Sequence, residues 1–162
     1  MLYNNKDFTL DYAKEYECDD ILSLIKEIAN YEKMSDCVTA TSEILYDSIF
    51  GTKRANVIMA KYKNEVIGYL VYFYNFSTFT GTSNIYIEDI FFKEEYRNNG
   101  YGTIMLKVLA LIATKEDVKR IDWVCLNWNK PSLSFYEKNN AKRLNEWILH
   151  RLEYDDFKKL IN

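Results

Sequence analysis

The hydrophobic period of the chain changes twice between Asn84 and Trp128, and this stretch limits the possible folds more than any other. Asn84 to Phe92 alternates as a strand does. In a regular strand Tyr86, Glu88, Ile90 and Phe92 share one face, and Ile85, Ile87, Asp89 and Phe91 share the other. From Thr103 to about Lys115, Met105, Val108, Leu109 and Ile112 fall on one helical stripe; Arg120 to Trp128 then returns to strand character. A strand-helix-strand crossover of this kind belongs to the α/β class.

The remaining elements alternate around it. Asp19 or Asp20 caps a helix in which Ile21, Leu24, Ile25 and Ile28 recur at helical spacing to about Tyr31 or Glu32. Thr41 caps a second helix that runs through Ile44, Leu45 and Ile49 and stops at Gly51. Ala55 to Tyr62 and Val66 to Tyr74 read as an antiparallel hairpin joined by Lys63-Asn64-Glu65, and Phe8 to Tyr12 is the candidate first strand. Pro131 suits the first turn of a last short helix ending near Asn140, with Glu146 to Tyr154 as a final strand. With one proline and no linker or repeat, residues 1–162 are expected to form a single domain.

Composition narrows the function. Hydrophobic residues at 48% and charged residues at 28% describe a folded chain, and a net charge of −3 argues against a nucleic-acid partner while weakly favouring cationic ones. Cys18, Cys37 and Cys125 form no CxxC pair, so the thiols are read as reduced and no metal is expected. The first ten residues lack a signal-length apolar core, and the most apolar run, Ile104 to Ala113, is broken by Lys107; no membrane contact and a cytoplasmic location follow as expectations. The sole histidine, His150, lies far from the motifs below and is read as structural.

Arg97-Asn98-Asn99-Gly100-Tyr101-Gly102-Thr103 sits where a strand ends and a helix begins. Glycines let backbone amides approach a ligand, and the first helical turn offers unpaired donors with partial positive charge, an arrangement that suits phosphate. A plain tight turn is the alternative, and for so short a pattern it has about even weight.

The spacing Arg97-x-x-Gly100-x-Gly102 resembles the pyrophosphate motif of the GNAT acetyltransferases. Leu24 to Met34, Asn75 to Gly81, and Trp128-Asn129-Lys130-Pro131-Ser132-x-x-Phe135-Tyr136 resemble the spermidine/spermine branch with its diamine and thialysine relatives, over about Phe8 to Leu152. The resemblance implies a GNAT fold: a mixed, mostly antiparallel sheet splayed between two parallel strands and flanked by about four helices. It implies acetyl-coenzyme A as cosubstrate, held by Ile90, Phe91, Phe92, Arg97, Asn98, Asn99, Gly100, Tyr101, Gly102, Thr103, Asn129, Pro131, Ser132 and Tyr136. A bulge in the strand before the loop would free an amide to stabilise the oxyanion; an uninterrupted strand is the alternative.

By the same resemblance Glu88 draws a proton from the amine and Tyr136 returns one to the thiolate. Tyr31 and Glu32 hold the distal part of the amine, and Asp89 has a supporting or substrate-loop role. Trp128 and Trp123 are placed along the same tunnel, with core packing as the alternative for both. The partners implied are a small cationic amine and a second copy of the chain, forming a homodimer. Asn98 and Asn140 stand where the family has glycine, and asparagine tolerates the left-handed backbone. Only Glu146 precedes Trp147, where the animal spermidine enzymes have two acids, a departure that counts against a polyamine and is nearer to bacterial relatives; by the resemblance polyamines or diamines still lead, and thialysine or another lysine-like amino acid follows. Acetylation of a protein amine, or a coenzyme A-binding regulatory module, are the rival functions.

Overall fold

The computed structural model describes residues 1–161, which gather into two compact units, Met1–Val124 and the remainder from Cys125 onward. The first unit holds one sheet in sequence order: β1 (Tyr3–Asn5), β2 (Phe8–Tyr12), β3 (Asn56–Tyr62), β4 (Glu65–Ser77), β5 (Thr82–Phe92) and β6 (Ile121–Asp122). Every neighbouring pair is antiparallel except β5 and β6, which run parallel. Helices α1 (Cys18–Tyr31), α2 (Ser42–Tyr46, prolonged by a π turn over Asp47–Gly51) and α3 (Tyr101–Lys115) belong to this unit. The second unit carries α4 (Lys130–Lys138) and α5 (Tyr154–Lys159).

Local chemistry sets the connections. Lys63 and Asn64 take φ values of 50° and 68°, the paired left-handed geometry of a two-residue hairpin turn whose twist matches that of β3 and β4. Thr41 caps α2 through its hydroxyl oxygen, which accepts from Ile44 N at 3.3 Å. At the start of α1 the cap position belongs to Glu17 rather than Asp19 or Asp20, which occupy the first turn. Glu17 is buried there because its carboxylate accepts from Lys14 N at 2.7 Å and pairs with Lys61 at 2.5 Å.

The sheet separates two apolar layers. Ile21 and Leu24 of α1 pack with Val57, Met59, Tyr69 and Phe91 on one face. On the other, Met105, Val108, Leu109 and Ala113 of α3 pack with Ile58, Ile67, Leu70, Ile85, Ile87 and Phe92.

That partition departs from a regular β5. In the pairing with β4, Val71 stands opposite Asp89 and Tyr72 opposite Ile87, so Glu88 is the extra residue of a β-bulge. The bulge reverses the alternation: Ile85 and Ile87 face α3 before it, and Ile90 and Phe92 face α3 after it. Ile90 and Phe92 therefore share a face with Ile85 and Ile87, while Phe91 turns to the α1 side. Past the bulge β5 also loses its other neighbour, because β6 pairs with it only at Ile85↔Ile121 and Tyr86↔Asp122.

Two strand expectations do not hold. The strand expected over Arg120 to Trp128 contracts to Ile121–Asp122, since turn bonds from Asn129 N to Leu126 O (3.0 Å) and Lys130 N to Trp128 O (2.8 Å) fold the chain toward α4. The strand expected over Glu146 to Tyr154 is absent. Its alternating residues find no ladder, leave Trp147, Ile148, Leu149 and Leu152 exposed, and give way to α5, a fifth helix where about four were expected.

At Gly68, opposite Phe92, an added Cβ would collide with the Phe91 carbonyl oxygen and stand 2.7 Å from Phe92 Cδ1. Gly68→Ala should lower the unfolding free energy by about 1–3 kcal/mol in a urea titration. An unchanged midpoint would contradict this strand spacing.

Candidate active site

Of the residues expected to act on an amine, Glu32, Glu88 and Asp89 lie in the first unit near the hydroxyl of Tyr69, while Trp128 and Tyr136 belong to the second. Tyr69 lies in β4 opposite Phe91, fully buried, and donates to Asp89 Oδ2 at 2.7 Å. Asp89 follows the bulge and so turns with Phe91 toward the α1 layer. Glu32 arrives from the C-terminal cap of α1, and the negative charges of Asp89, Glu32 and Glu88 all act on the Tyr69 hydroxyl.

The end of α1 is fixed by its own backbone. Lys33 N bonds to Asn30 O (3.1 Å) and Met34 N to Ala29 O (2.8 Å), closing a Schellman motif with Lys33 left-handed at φ 61°. Tyr31, one residue before the cap, lies under the Arg97 guanidinium at 4.8 Å, and the same group lies 5.2 Å from the Phe91 ring. Arg97 Nε donates to the Phe92 carbonyl at 2.8 Å. Arg97 thus ties the end of α1 to the end of β5, a contact that the glycine pattern alone did not disclose.

The loop after Arg97 enters α3 through two left-handed residues, Asn98 at φ 64° and Gly100 at φ 81°. At Gly100 nothing lies within 4 Å of an added Cβ, so backbone angle and not space calls for glycine. The Asn99 side-chain amide braces the loop by donating to the carbonyls of Tyr96 (3.2 Å) and Arg97 (3.0 Å). Helical bonding begins with Ile104 N to Gly100 O at 3.1 Å, so the amides of Tyr101, Gly102 and Thr103 are first-turn donors suited to an anion. The Tyr101 ring stacks on Phe8 at 4.2 Å and seats the helix start in the core. The Ile90 and Phe92 side chains lie on the α3 side, and their backbone lies beyond the β6 pairing.

In the second unit Asn129 is buried and caps α4, its Oδ1 accepting from Ser132 N at 3.3 Å. Pro131, in the first turn, has no amide to leave unpaired. Phe135 and Tyr136 stand with ring centroids 5.3 Å apart, and the helix closes with Ala141 N to Tyr136 O (3.0 Å) around left-handed Asn140 at φ 64°. Trp128 is half-exposed, whereas Trp123 packs against the α3-side core of the first unit. His150 is exposed. Among the described residues no group of three or more His, Cys, Asp or Glu side chains could hold a metal ion, and no helix is long and apolar enough to cross a membrane.

Burial and repulsion both act on the acids. Burial pushes the Asp89 carboxyl above the ordinary aspartate range, and the Tyr69 hydrogen bond pulls it part of the way back. Glu32 is raised by its own burial and then by the Asp89 charge. A desolvated Asp89, with its charge opposing ionisation of the partly buried Glu32, makes a place that a cation would relieve. Tyr69 was not singled out in the sequence; one among 14 tyrosines, it shows no local signal, and only the register opposite the bulged strand brings it to Asp89.

With strand, bulge, loop and helix in place, comparison with known proteins is informative. The Acetyltransferase (GNAT) family profile matches residues 18–141. A thialysine N-epsilon-acetyltransferase of Bos taurus is 35% identical over 160 residues, covering 91% of this chain and 94% of its own length. An L-ornithine N5-acetyltransferase of Arabidopsis thaliana is 39% identical over 94 residues, 57% of this chain and 41% of that protein. Among solved structures, an integron cassette protein from the V. cholerae mobile metagenome superposes with a TM-score of 0.81 at 23% identity over 97% of this chain and 99% of its own. The chain belongs to the GNAT acetyltransferase family. It is an acetyl-coenzyme A-dependent N-acetyltransferase.

The raised acids give a stability prediction. The ordinary aspartate value is 3.8, and a folded value above it means that the fold gains from Asp89 below about pH 3.8 and loses that gain as pH rises through the folded value. Ionised Asp89 therefore weakens the fold at pH 7. Asp89→Asn, which keeps an acceptor for Tyr69, should raise the melting temperature at pH 7 by about 2–4 °C, the shift that roughly 1 kcal/mol produces at this chain length. The gain should vanish near pH 3; a lower melting temperature at pH 7 would contradict the electrostatics.

Proposed function

We propose that the protein acetylates a primary amine of a small diamine or polyamine by direct attack on the acetyl-coenzyme A thioester, with no covalent enzyme intermediate. The observation that carries this reading is the gathering of Glu32, Glu88 and Asp89 around Tyr69 at the end of the strand that leads into the glycine loop. One of these acids is needed for chemistry and the others are available for charge recognition.

An alkylamine with a pKa of about 10.4 is mostly protonated at pH 7, so freeing its lone pair costs roughly 4–5 kcal/mol. Glu88, exposed at the bulge, takes that proton through water. The amine nitrogen then bonds to the thioester carbonyl carbon, and an amide of the bulged strand stabilises the oxyanion. As the carbon–sulfur bond breaks, Tyr136 gives its phenolic proton to the thiolate, and the proton that the nitrogen sheds on becoming an amide passes through water to restore the phenol. Tyr31 and Glu32 hold the distal part of the amine, with Trp128 beside it. The diphosphate of the cosubstrate is taken by the amides from Asn98 to Thr103, its pantetheine arm by the backbone of Ile90, Phe91 and Phe92, with Asn129, Pro131 and Ser132 completing that path.

A lysine-like amino acid such as thialysine is a second reading, favoured by the bovine relative. The family match runs across the boundary between the two compact units, which supports one GNAT domain over residues 1–162. A homodimer in the cytoplasm completes the proposal; exposed Trp147, Ile148 and Leu149 favour a second copy as cover.

Coenzyme A thiol release measured over polyamines, diamines, thialysine, lysine and peptides tests the reading, with fastest turnover expected for diamines or polyamines. Binding of acetyl-coenzyme A without turnover of any amine would overturn it. Tyr136→Phe should lower kcat by roughly 10²-fold or more with cofactor affinity retained. Arg97→Ala should mainly weaken cofactor binding, and the reverse pattern would refute both assignments.

A further inference from the structure

The acetyl-transfer scheme has no use for the Tyr69 hydroxyl, yet the sheet buries it completely among Ile21, Leu24, Val57 and Met59. Phenylalanine would fill the same space without desolvating a polar group. The oxygen is accounted for by its bond to Asp89 Oδ2, 2.7 Å away.

We propose that Tyr69 is a positioning residue for amine recognition: its hydroxyl fixes the Asp89 carboxylate, and Asp89 with Glu32 receives the second, non-reacting ammonium of a diamine. The inference rests on the amine acetyltransferase reading and gives it a substrate class. An aspartate side chain has two torsions to settle, and a single strong donor on one oxygen leaves the other oriented for a ligand. The same donor opposes what burial does to the carboxyl and so favours its charged form.

The charged and titratable groups around this position are Tyr69 from β4, Glu32 and Tyr31 from the end of α1, Glu88 from the bulge of β5, and Arg97 over Tyr31 and Phe91. Arg97 is engaged by two rings and the Phe92 carbonyl. Without the Tyr69 hydroxyl, Asp89 would keep its burial and lose the bond that offsets it. The carboxyl would then take up a proton at higher pH and offer an ammonium no charge.

The test uses the full chain with acetyl-coenzyme A and two amines of equal length, 1,4-diaminobutane and n-butylamine. Tyr69→Phe should raise the KM for 1,4-diaminobutane roughly 10-fold at pH 7, leave the KM for acetyl-coenzyme A within about twofold, and move the acidic limb of kcat/KM to higher pH. Turnover of n-butylamine, which has no second ammonium, should be unaffected. In an Asp89→Asn background the Tyr69→Phe change should have no further effect on the KM of the diamine. Equal losses on both amines, or an equal loss in the Asp89→Asn background, would mean that Tyr69 serves only packing, and would overturn the proposal.

A second readout does not depend on turnover. Carbon-13 NMR titration of the Asp89 carboxyl, assigned by its disappearance in Asp89→Asn, should show a higher midpoint in Tyr69→Phe than in the wild type. An unchanged midpoint overturns the proposal even if the enzyme is active. A shifted midpoint in a chain that turns over no amine would retain the Tyr69–Asp89 coupling while removing the acetyl-transfer reading and, with it, the assigned ligand.

Discussion

One residue too many in β5 determines the layout of the active site. Because the register with β4 shifts at Glu88, the strand changes phase there, and both of its halves still bury apolar side chains against α3. A regular strand would have sent either Ile85 and Ile87 or Ile90 and Phe92 away from that core. The bulge lets one continuous strand satisfy the core on both sides of a polar interruption. At the interruption it exposes a carboxylate and turns the next one, Asp89, toward α1. Two adjacent acids in an aromatic strand are otherwise an expensive arrangement, since desolvating either opposes its charge.

The acid cluster and the glycine loop are linked through the same strand. Phe91 supports Arg97, Phe92 gives Arg97 its carbonyl, and Arg97 covers Tyr31 at the end of α1. Groups that would touch an amine and groups that would touch a diphosphate therefore share a short, stiff connection built from two rings and a guanidinium.

Much of this was legible in the sequence where a signal is local. The hydrophobic stripes of α1 and α3, the Thr41 cap, the hairpin at Lys63 and the glycine loop are written in residues close together in the chain, and all appear in the structure. The left-handed angles at Asn98 and Asn140 also follow from asparagine's tolerance of that region. Pairing is not local, and there the sequence misled. Residues 120–128 and 146–154 alternate as strands should, but alternation makes a strand only where an edge is available, and β6 stops at Asp122 while the later stretch finds no ladder. The Tyr69–Asp89 bond was illegible for a related reason: the two residues are 20 apart, and the bulge that aligns them is defined by register.

Three helices end on residues that pay no heed to the usual preference for glycine: Lys33 after α1, Asp117 after α3 and Asn140 after α4, with φ of 61°, 57° and 64°. Each holds a side chain in a conformation that costs an L-residue roughly 1 kcal/mol. That strain is dispersed over helix ends rather than concentrated at the acids, and glycine at any of the three would relieve it. The scaffold thus contains stability that substitution at these helix ends could release. A lineage could alter its choice of amine without first losing its fold.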